Sequence, residues 1–159
     1  MVVRYFNVAG AGFLRKTGVK RRQPTHLIPS IMSVVSGRKK SLCLFGIDYP
    51  TSDGSCIRDY VHVLDICDAH LAALKALCNK RVVNDVFNLG NGKGFSVKEV
   101  IAVAGEVTGK VIRVRVMPRR SGDCPNVVAS FSKAKRILGW VPKRGLKDII
   151  QSMYNRGVK

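Results

Sequence analysis

Apolar residues dominate the first nine positions, MVVRYFNVA, and a glycine turn follows at Gly10. Only Arg4 and Asn7 interrupt the run, so Val2 to Val8 reads as a buried strand of a parallel sheet. From Gly10 to Thr25 the chain is polar and rich in glycine and lysine, a long connection. Leu27 to Val35 has helical character, with Pro29 tolerated near the first turn. Leu42 to Phe45 is a short strand ended by Gly46, and DYPTSDGS at 48–55 is turn chemistry throughout. Ile66, Ala69, Leu74 and Leu77 form one face of a helix over Asp65 to Leu77. Val86 to Leu89 is a strand stopped by GNGKG. Ser96 and Glu99 are spaced as a capping box, opening a helix that Gly105 or Gly109 closes. Val111 to Val116 alternates valine with arginine as a half-exposed strand. Ser132 to Leu138, ended by Gly139, and Leu146 to Tyr154 complete the pattern with two helices. The alternation is α/β, with fewer consecutive strand–helix units than a complete doubly wound sheet requires.

Length and composition narrow this further. At 159 residues there is room for one domain and a core. No run approaches the roughly 18 apolar residues of a membrane span, and Arg4 within the apolar start argues against a signal peptide. Five cysteines, an odd number with no C-x-x-C pair, argue against zinc and against a disulfide framework, and point to a reducing cytoplasm. Twenty-eight Lys and Arg against ten Asp and Glu give +18, so polyanions must be considered. The basic residues fall in short runs along the chain, with little aromatic interleaving and no zinc-finger or RRM spacing. A solvated basic surface with weak, sequence-independent nucleic-acid binding is the expectation.

Several stretches are more specific than periodicity: RYFNVAGA at 4–11, THLIPSI at 25–31, FGIDYPTSDGSCIRDYVHVLDICDAHLAAL at 45–74, VFNLGNGKGFSVKEVI at 86–101, PRRSGDCP at 118–125 and SKAKRILGWVPK at 132–143. Together they resemble the carboxyl-terminal half of the UDP-glucose 4-epimerases, members of the extended short-chain dehydrogenase/reductase family. The resemblance implies a partial Rossmann-like fold, an incomplete parallel sheet joined to a small α/β nucleotide-sugar-binding domain. It makes all of 1–159 the UDP-sugar-binding half, with NAD as the implied cofactor and a separate chain as one possible source of the NAD-binding half. The family's G-x-x-G-x-x-G turn and Tyr-x-x-x-Lys pair are not in the sequence: Tyr5, Tyr49, Tyr60 and Tyr154 are followed four residues on by Ala9, Asp53, Leu64 and Val158. Gly10-Ala11-Gly12 imitates the start of a dinucleotide turn, but Arg15 occupies the third glycine position. No residue is therefore expected to be catalytic. One departure from the family is TGVKRRQP before HLIP, where relatives usually carry acidic residues.

Carried across position by position, the resemblance implies that Phe6 touches the nicotinamide end of the cofactor and Asn7 the diphosphate or sugar. His26 and Leu27 lie along the uridine diphosphate. Cys43 meets the uracil through its backbone, Phe45 stacks on that base, and Leu44 is a further substrate-binding position. Arg58 and Arg120 clamp the phosphates with Tyr60 beside them, Asp123 accepts from the ribose hydroxyls, and Val127 faces the hexose.

The chemistry suits those residue types. A diphosphate wants paired guanidinium donors, a uracil an aromatic face and backbone groups, and a ribose diol a carboxylate. Taken singly, an arginine in a loop is a solvated cation, Phe45 a core residue and Asp123 a turn cap; the motif context makes them candidates. His62 and His70, at the start and middle of an apolar-faced helix, lack partners at ligand spacing and read as structural. Three functions compete: the substrate half of an epimerase, a non-catalytic UDP-sugar-binding module, and a basic nucleic-acid binder supported by charge alone.

Overall fold

The computed structural model describes residues 1–12, 25–80 and 84–157. Most of the expected connection from Gly10 to Thr25, including TGVKRRQP, lies outside these. The elements in chain order are β1 (Val2–Tyr5), β2 (Asn7–Ala9), α1 (Leu27–Val35), β3 (Leu42–Phe45), β4 (Ile57–His62) and α2 (Val63–Cys78). They continue as β5 (Val86–Leu89), β6 (Gly94–Ser96), α3 (Val97–Thr108), β7 (Val114–Met117), β8 (Asn126–Val127), α4 (Ser132–Leu138) and α5 (Leu146–Gly157). Parallel pairing joins β1 to β5, β2 to β4, β3 to β7 and β8 to β4, while β6 runs antiparallel to β4. The class is α/β with an incomplete, mostly parallel sheet.

Several elements depart from the sequence pattern. The single strand expected from Val2 to Val8 divides at Phe6, because its first half pairs with β5 and its second with β4. Nor is it buried: Val2, Tyr5 and Val8 are 51%, 47% and 41% exposed, and among the described residues β1 has one strand neighbour, β5. The strand expected at Val111 begins at Val114, because β3 offers only Leu42–Phe45 to pair with Val114–Met117. The first long helix opens two residues early at Val63, where His62 Nδ1 accepts from the Leu64 N–H at 3.1 Å. The last runs to Gly157 rather than Tyr154. Strands β4, β6 and β8 had no counterpart in the pattern.

The missed β4 is the centre of the fold. Its side chains alternate between two cores. Tyr60 packs with Ile28, Ile31, Leu42, Val100, Ile149 and Ile150, the layer made by α1, α3 and α5. Val61 packs with Ile66, Ala69, Phe87, Leu89 and Trp140 under α2 and α4. Each fully buried aliphatic or aromatic side chain contributes about 1.5–3 kcal/mol relative to exposure, so both layers matter to stability.

Two buried carboxylates fasten loops to this frame. Asp59 on β4, fully buried, accepts from the backbone N–H groups of Asn91 at 2.7 Å, Gly92 at 2.9 Å and Ala129 at 3.2 Å. Glycine is required at position 90, where an added Cβ would stand 2.4 Å from Ala129 Cβ and 2.6 Å from Asp59 Oδ2. Asp65 similarly accepts from the Lys143 and Arg144 N–H groups at 3.1 and 3.0 Å and from the Arg144 guanidinium at 2.5 Å. The capping box at the start of α3 forms as expected, with the Glu99 N–H on Ser96 Oγ at 3.0 Å and the Ser96 N–H on Glu99 Oε2 at 2.6 Å. Gly109 closes that helix in the left-handed region, while Gly105 lies inside it.

Asp59→Ala removes three charge-assisted bonds from a fully buried carboxylate to loop N–H groups and is expected to cost about 3 kcal/mol or more in urea denaturation. Asp148→Ala, which loses one bond to the Gly145 N–H at the start of α5, is expected to cost about 1 kcal/mol. Equal, small losses in the two variants contradict the anchoring role of Asp59.

Candidate functional site

A cleft of about 620 Å³ opens where β2, β3 and β4 meet the start of α1 and the 120–123 loop. Asn7, His26, Leu27, Cys43, Leu44, Phe45, Arg58, Tyr60, Arg120 and Asp123 all line it. Phe6 and Val127 do not.

Strand alternation sets most of this geometry. On β3, Leu42 and Leu44 are buried, while Cys43 and Phe45 turn to the other face. On β4, Arg58 and Tyr60 share a face, and Cys56, two residues before Arg58, also lines the cleft. Arg58 is 19% exposed and well tethered: its Nη1 donates to the carbonyls of Ile57 at 2.9 Å and Cys124 at 2.7 Å. Its Nη2 stands 3.4 Å from Asp123 Oδ1, and that carboxylate is 33% exposed. The Arg120 guanidinium lies over the Phe45 ring at 3.6 Å from its centroid and makes no ion pair with a described residue. Asn7 Nδ2 donates to the Asp59 carbonyl at 3.0 Å, which fixes its amide beside β4. Burial pushes the Tyr60 phenol up to about 12, against the lowering effect of Arg58, so it stays neutral at physiological pH.

Thr25, Ser30, Lys39, Ser41, Cys56 and Val97 also line the cleft, and none was singled out from the sequence. The alternation Ser41-Cys43-Phe45 carried a usable signal for Ser41. Cys56, ahead of Arg58 and Tyr60, carried one only once β4 was recognised as a strand. The start of α1 adds a further feature: His26 occupies its N-cap with no side-chain cap bond, so the positive end of the helix borders the cleft.

The two residues outside the cleft have clear positions. Phe6, half-buried, marks the step between β1 and β2, with its carbonyl accepting from the Val8 N–H at 3.1 Å. Val127, half-buried on β8, is in register with Arg58.

A dinucleotide does not fit the glycine turn after β2. The His62 ring fills the space above Gly10, where an added Cβ would come within 2.8 Å of Nε2. The Ala11 N–H is already donated to Ser152 Oγ at 3.0 Å. At Gly10 the turn lacks the room, and at Ala11 the free donor, that a diphosphate cradle needs. Among the described residues no cluster of His, Cys, Asp or Glu is arranged to hold a metal ion. His62 caps α2 and packs on the turn, and His70 hydrogen-bonds Tyr5 Oη at 2.6 Å, so each has a local packing or hydrogen-bonding partner.

An aromatic ring, two guanidinium groups, a carboxylate and a helix N-terminus thus stand around one cleft of an α/β fold. Residues 1–90 match the NAD dependent epimerase/dehydratase family, and the chain belongs to it. It is 47% identical over 154 residues to a UDP-glucose 4-epimerase of Halalkalibacterium halodurans, covering 96% of this chain and 46% of that protein. Its fold is similar to the UDP-glucose 4-epimerase of Stenotrophomonas maltophila solved with NAD and formylated UDP-arabinopyranose, with TM-score 0.93 and 38% identity over 98% of this chain and 46% of that one. The Bifidobacterium longum enzyme solved with NAD+ and UDP gives TM-score 0.88 and 34% identity over 97% of this chain and 46% of its own. The chain thus spans about half the length of the relatives it matches.

Burial lowers the His62 pKa below its ordinary value, and the Arg144 charge adds to this against Asp65 and Asp148. The unfolded chain therefore binds a proton near pH 6.5 that the folded chain resists. The contribution of His62 to stability is complete above that pH and declines as pH falls through the depressed value. Urea midpoints are expected to drop between pH 7.5 and 5.5, and less so in His62→Gln; an unchanged drop in the variant contradicts the assignment.

Proposed function

We propose that this chain is the UDP-sugar-binding half of an NAD-dependent UDP-glucose 4-epimerase, acting in a reducing cytoplasm. The observation that carries this reading is the cleft: residues that the family resemblance assigns to uridine diphosphate, though far apart in sequence, line one cavity beside Phe45 and Arg120. In this reading Phe45 stacks on the uracil while Cys43 and Leu44 offer backbone groups to its edge. Asp123 accepts from the ribose hydroxyls. Arg58, held by two carbonyls, is a preorganised phosphate donor, and Arg120 moves from the Phe45 ring onto the second phosphate. His26, Leu27 and the start of α1 add backbone N–H groups and the helix dipole. Asn7 and Val127 lie toward the sugar, and Tyr60 packs beside Arg58.

Hydride and proton transfer have no residue in this chain. With no Tyr-x-x-x-Lys pair in the sequence and the Gly10 turn filled by His62, the described residues supply only Phe6 toward NAD. In the family NAD supplies transient oxidation of the sugar, and that chemistry would come from a cofactor-binding half, in a separate chain or in further sequence of the same protein. The second edge of β1, which pairs only with β5 among the described residues, and the exposed Val2 suit such a neighbour. A non-catalytic UDP-sugar-binding module is the second reading, favoured by the same missing pair.

The chain is expected to bind UDP saturably in titration calorimetry, and Arg120→Ala to weaken it about tenfold or more by loss of a charge-assisted contact. With NAD and UDP-galactose it is expected to show no turnover. Turnover after adding a family cofactor half supports the first reading, and binding without turnover supports the second. No binding of UDP contradicts both.

Val127 generates a separate expectation for such a reconstituted enzyme. A valine facing the hexose leaves room for an acetamide at C2, so UDP-N-acetylhexosamines should be substrates alongside UDP-hexoses. Val127→Tyr should then suppress the acetylated substrates and largely spare UDP-galactose. Equal loss on both places Val127 in the packing of β8 against β4 instead.

A further inference from the structure

We propose that the β3–β7 face beside the cleft is a sequence-independent docking surface for the phosphate backbone of single-stranded nucleic acid. Cations dispersed in the sequence meet there. Arg38, Lys39 and Lys40 leave the end of α1, while Lys110, Arg113 and Arg115 lead from α3 into β7, and all six are exposed. Three contacts bring the two segments together. Lys110 Nζ donates to the Val35 carbonyl at 2.9 Å, the Leu42 N–H donates to the Arg113 carbonyl at 2.8 Å, and Cys43 pairs in register with Arg115.

None of these cations belongs to an ion pair with a described residue; those pairs use Arg58, Arg119, Lys133 and Arg144. Glu106, one turn before Lys110 on α3, is in no ion pair either. The charge is therefore available to an outside anion.

Strand register ties the patch to a base-stacking platform. Cys43 and Phe45 share one face of β3, and Arg115 and Met117 are their partners on β7. Phe45 carries the Arg120 guanidinium at 3.6 Å, and Lys39, Ser41 and Cys43 belong both to this edge and to the cleft lining. A row of cations leading to an aromatic ring and a flat guanidinium is the arrangement that holds single strands without reading sequence, because every base has a π face. A lipid surface fits less well: Val114 and Val116 lie on the opposite face of β7 from Arg115. The proposal needs the charge and the ring, and does not depend on the UDP-sugar reading.

The test titrates a labelled oligouridylate of about twelve nucleotides with the 159-residue chain between about 50 and 300 mM salt. Binding is expected to weaken with a log–log slope of about −2 to −4, the release expected from three to six phosphates of a single strand. The triple variant Lys40→Glu, Arg113→Glu, Arg115→Glu is expected to lose about tenfold or more at the lower salt. A control of equal charge change, Lys75→Glu and Lys143→Glu in the groove between α2 and α4 with Arg136→Glu on α4, is expected to lose less than about threefold. Equal loss in the two triples means diffuse attraction and overturns the proposal. So does tighter binding to phosphatidylserine-containing vesicles than to the oligonucleotide at the same salt. Photocrosslinking of the unmodified chain to a 4-thiouridine oligonucleotide reads the surface without any variant: adducts within residues 38–45 and 110–120 are expected, and adducts elsewhere overturn it.

Discussion

One buried negative charge organises this structure. The Asp59 carboxylate sits inside β4 with no solvent and is neutralised by three backbone N–H groups from two loops, one before β6 and one after β8. Leaving such a carboxylate unpaired would cost several kcal/mol, so both loops must close on it for the chain to fold. Closing them brings β6 and β8 alongside the first half of β4, with Phe95 and Val127 in register with Arg58. Arg58, the best-tethered cation of the cleft, is thereby positioned from one residue away by an anion on the opposite face of its strand. The same strand sends Tyr60 into one core and Val61 into the other. Structure and candidate site thus share a six-residue segment, IRDYVH.

That sharing explains what could be read from the sequence. Elements with ordinary local chemistry were legible: α1, α4, the capping box of α3 and the strands β3 and β5 lie where periodicity and caps put them. β4 was not, because a strand carrying Arg58, Asp59 and His62 looks polar. Most partners of its charges lie far along the chain, Asp123 and Cys124 for Arg58 and Asn91, Gly92 and Ala129 for Asp59. β6 and β8 are too short to show a period. The division of the first strand at Phe6 is likewise set by two different partners, β5 and β4, and no local signal marks it.

The candidate site was legible in a different way. Motif resemblance, not periodicity, singled out residues from Asn7 to Asp123 that line one cleft, and omitted Lys39, Ser41 and Cys56, which reach it from the segments just before β3 and β4. The basic residues show the reverse case. In sequence they form scattered short runs, whereas pairing of β3 with β7 gathers Arg38 to Lys40 with Arg113 and Arg115 beside that cleft. Charge clustering across strands is a property of register, and register emerges only with the fold.

The central claim is that this cleft recognises a uridine diphosphate group. Backbone amide shifts of the isotopically labelled chain, followed as UDP is added, test it most directly. The account predicts saturable changes concentrated at residues 25–27, 41–45, 56–60 and 120–123, with little movement along α2 and α4. Absence of saturable change, or changes centred on the groove between α2 and α4, would contradict it.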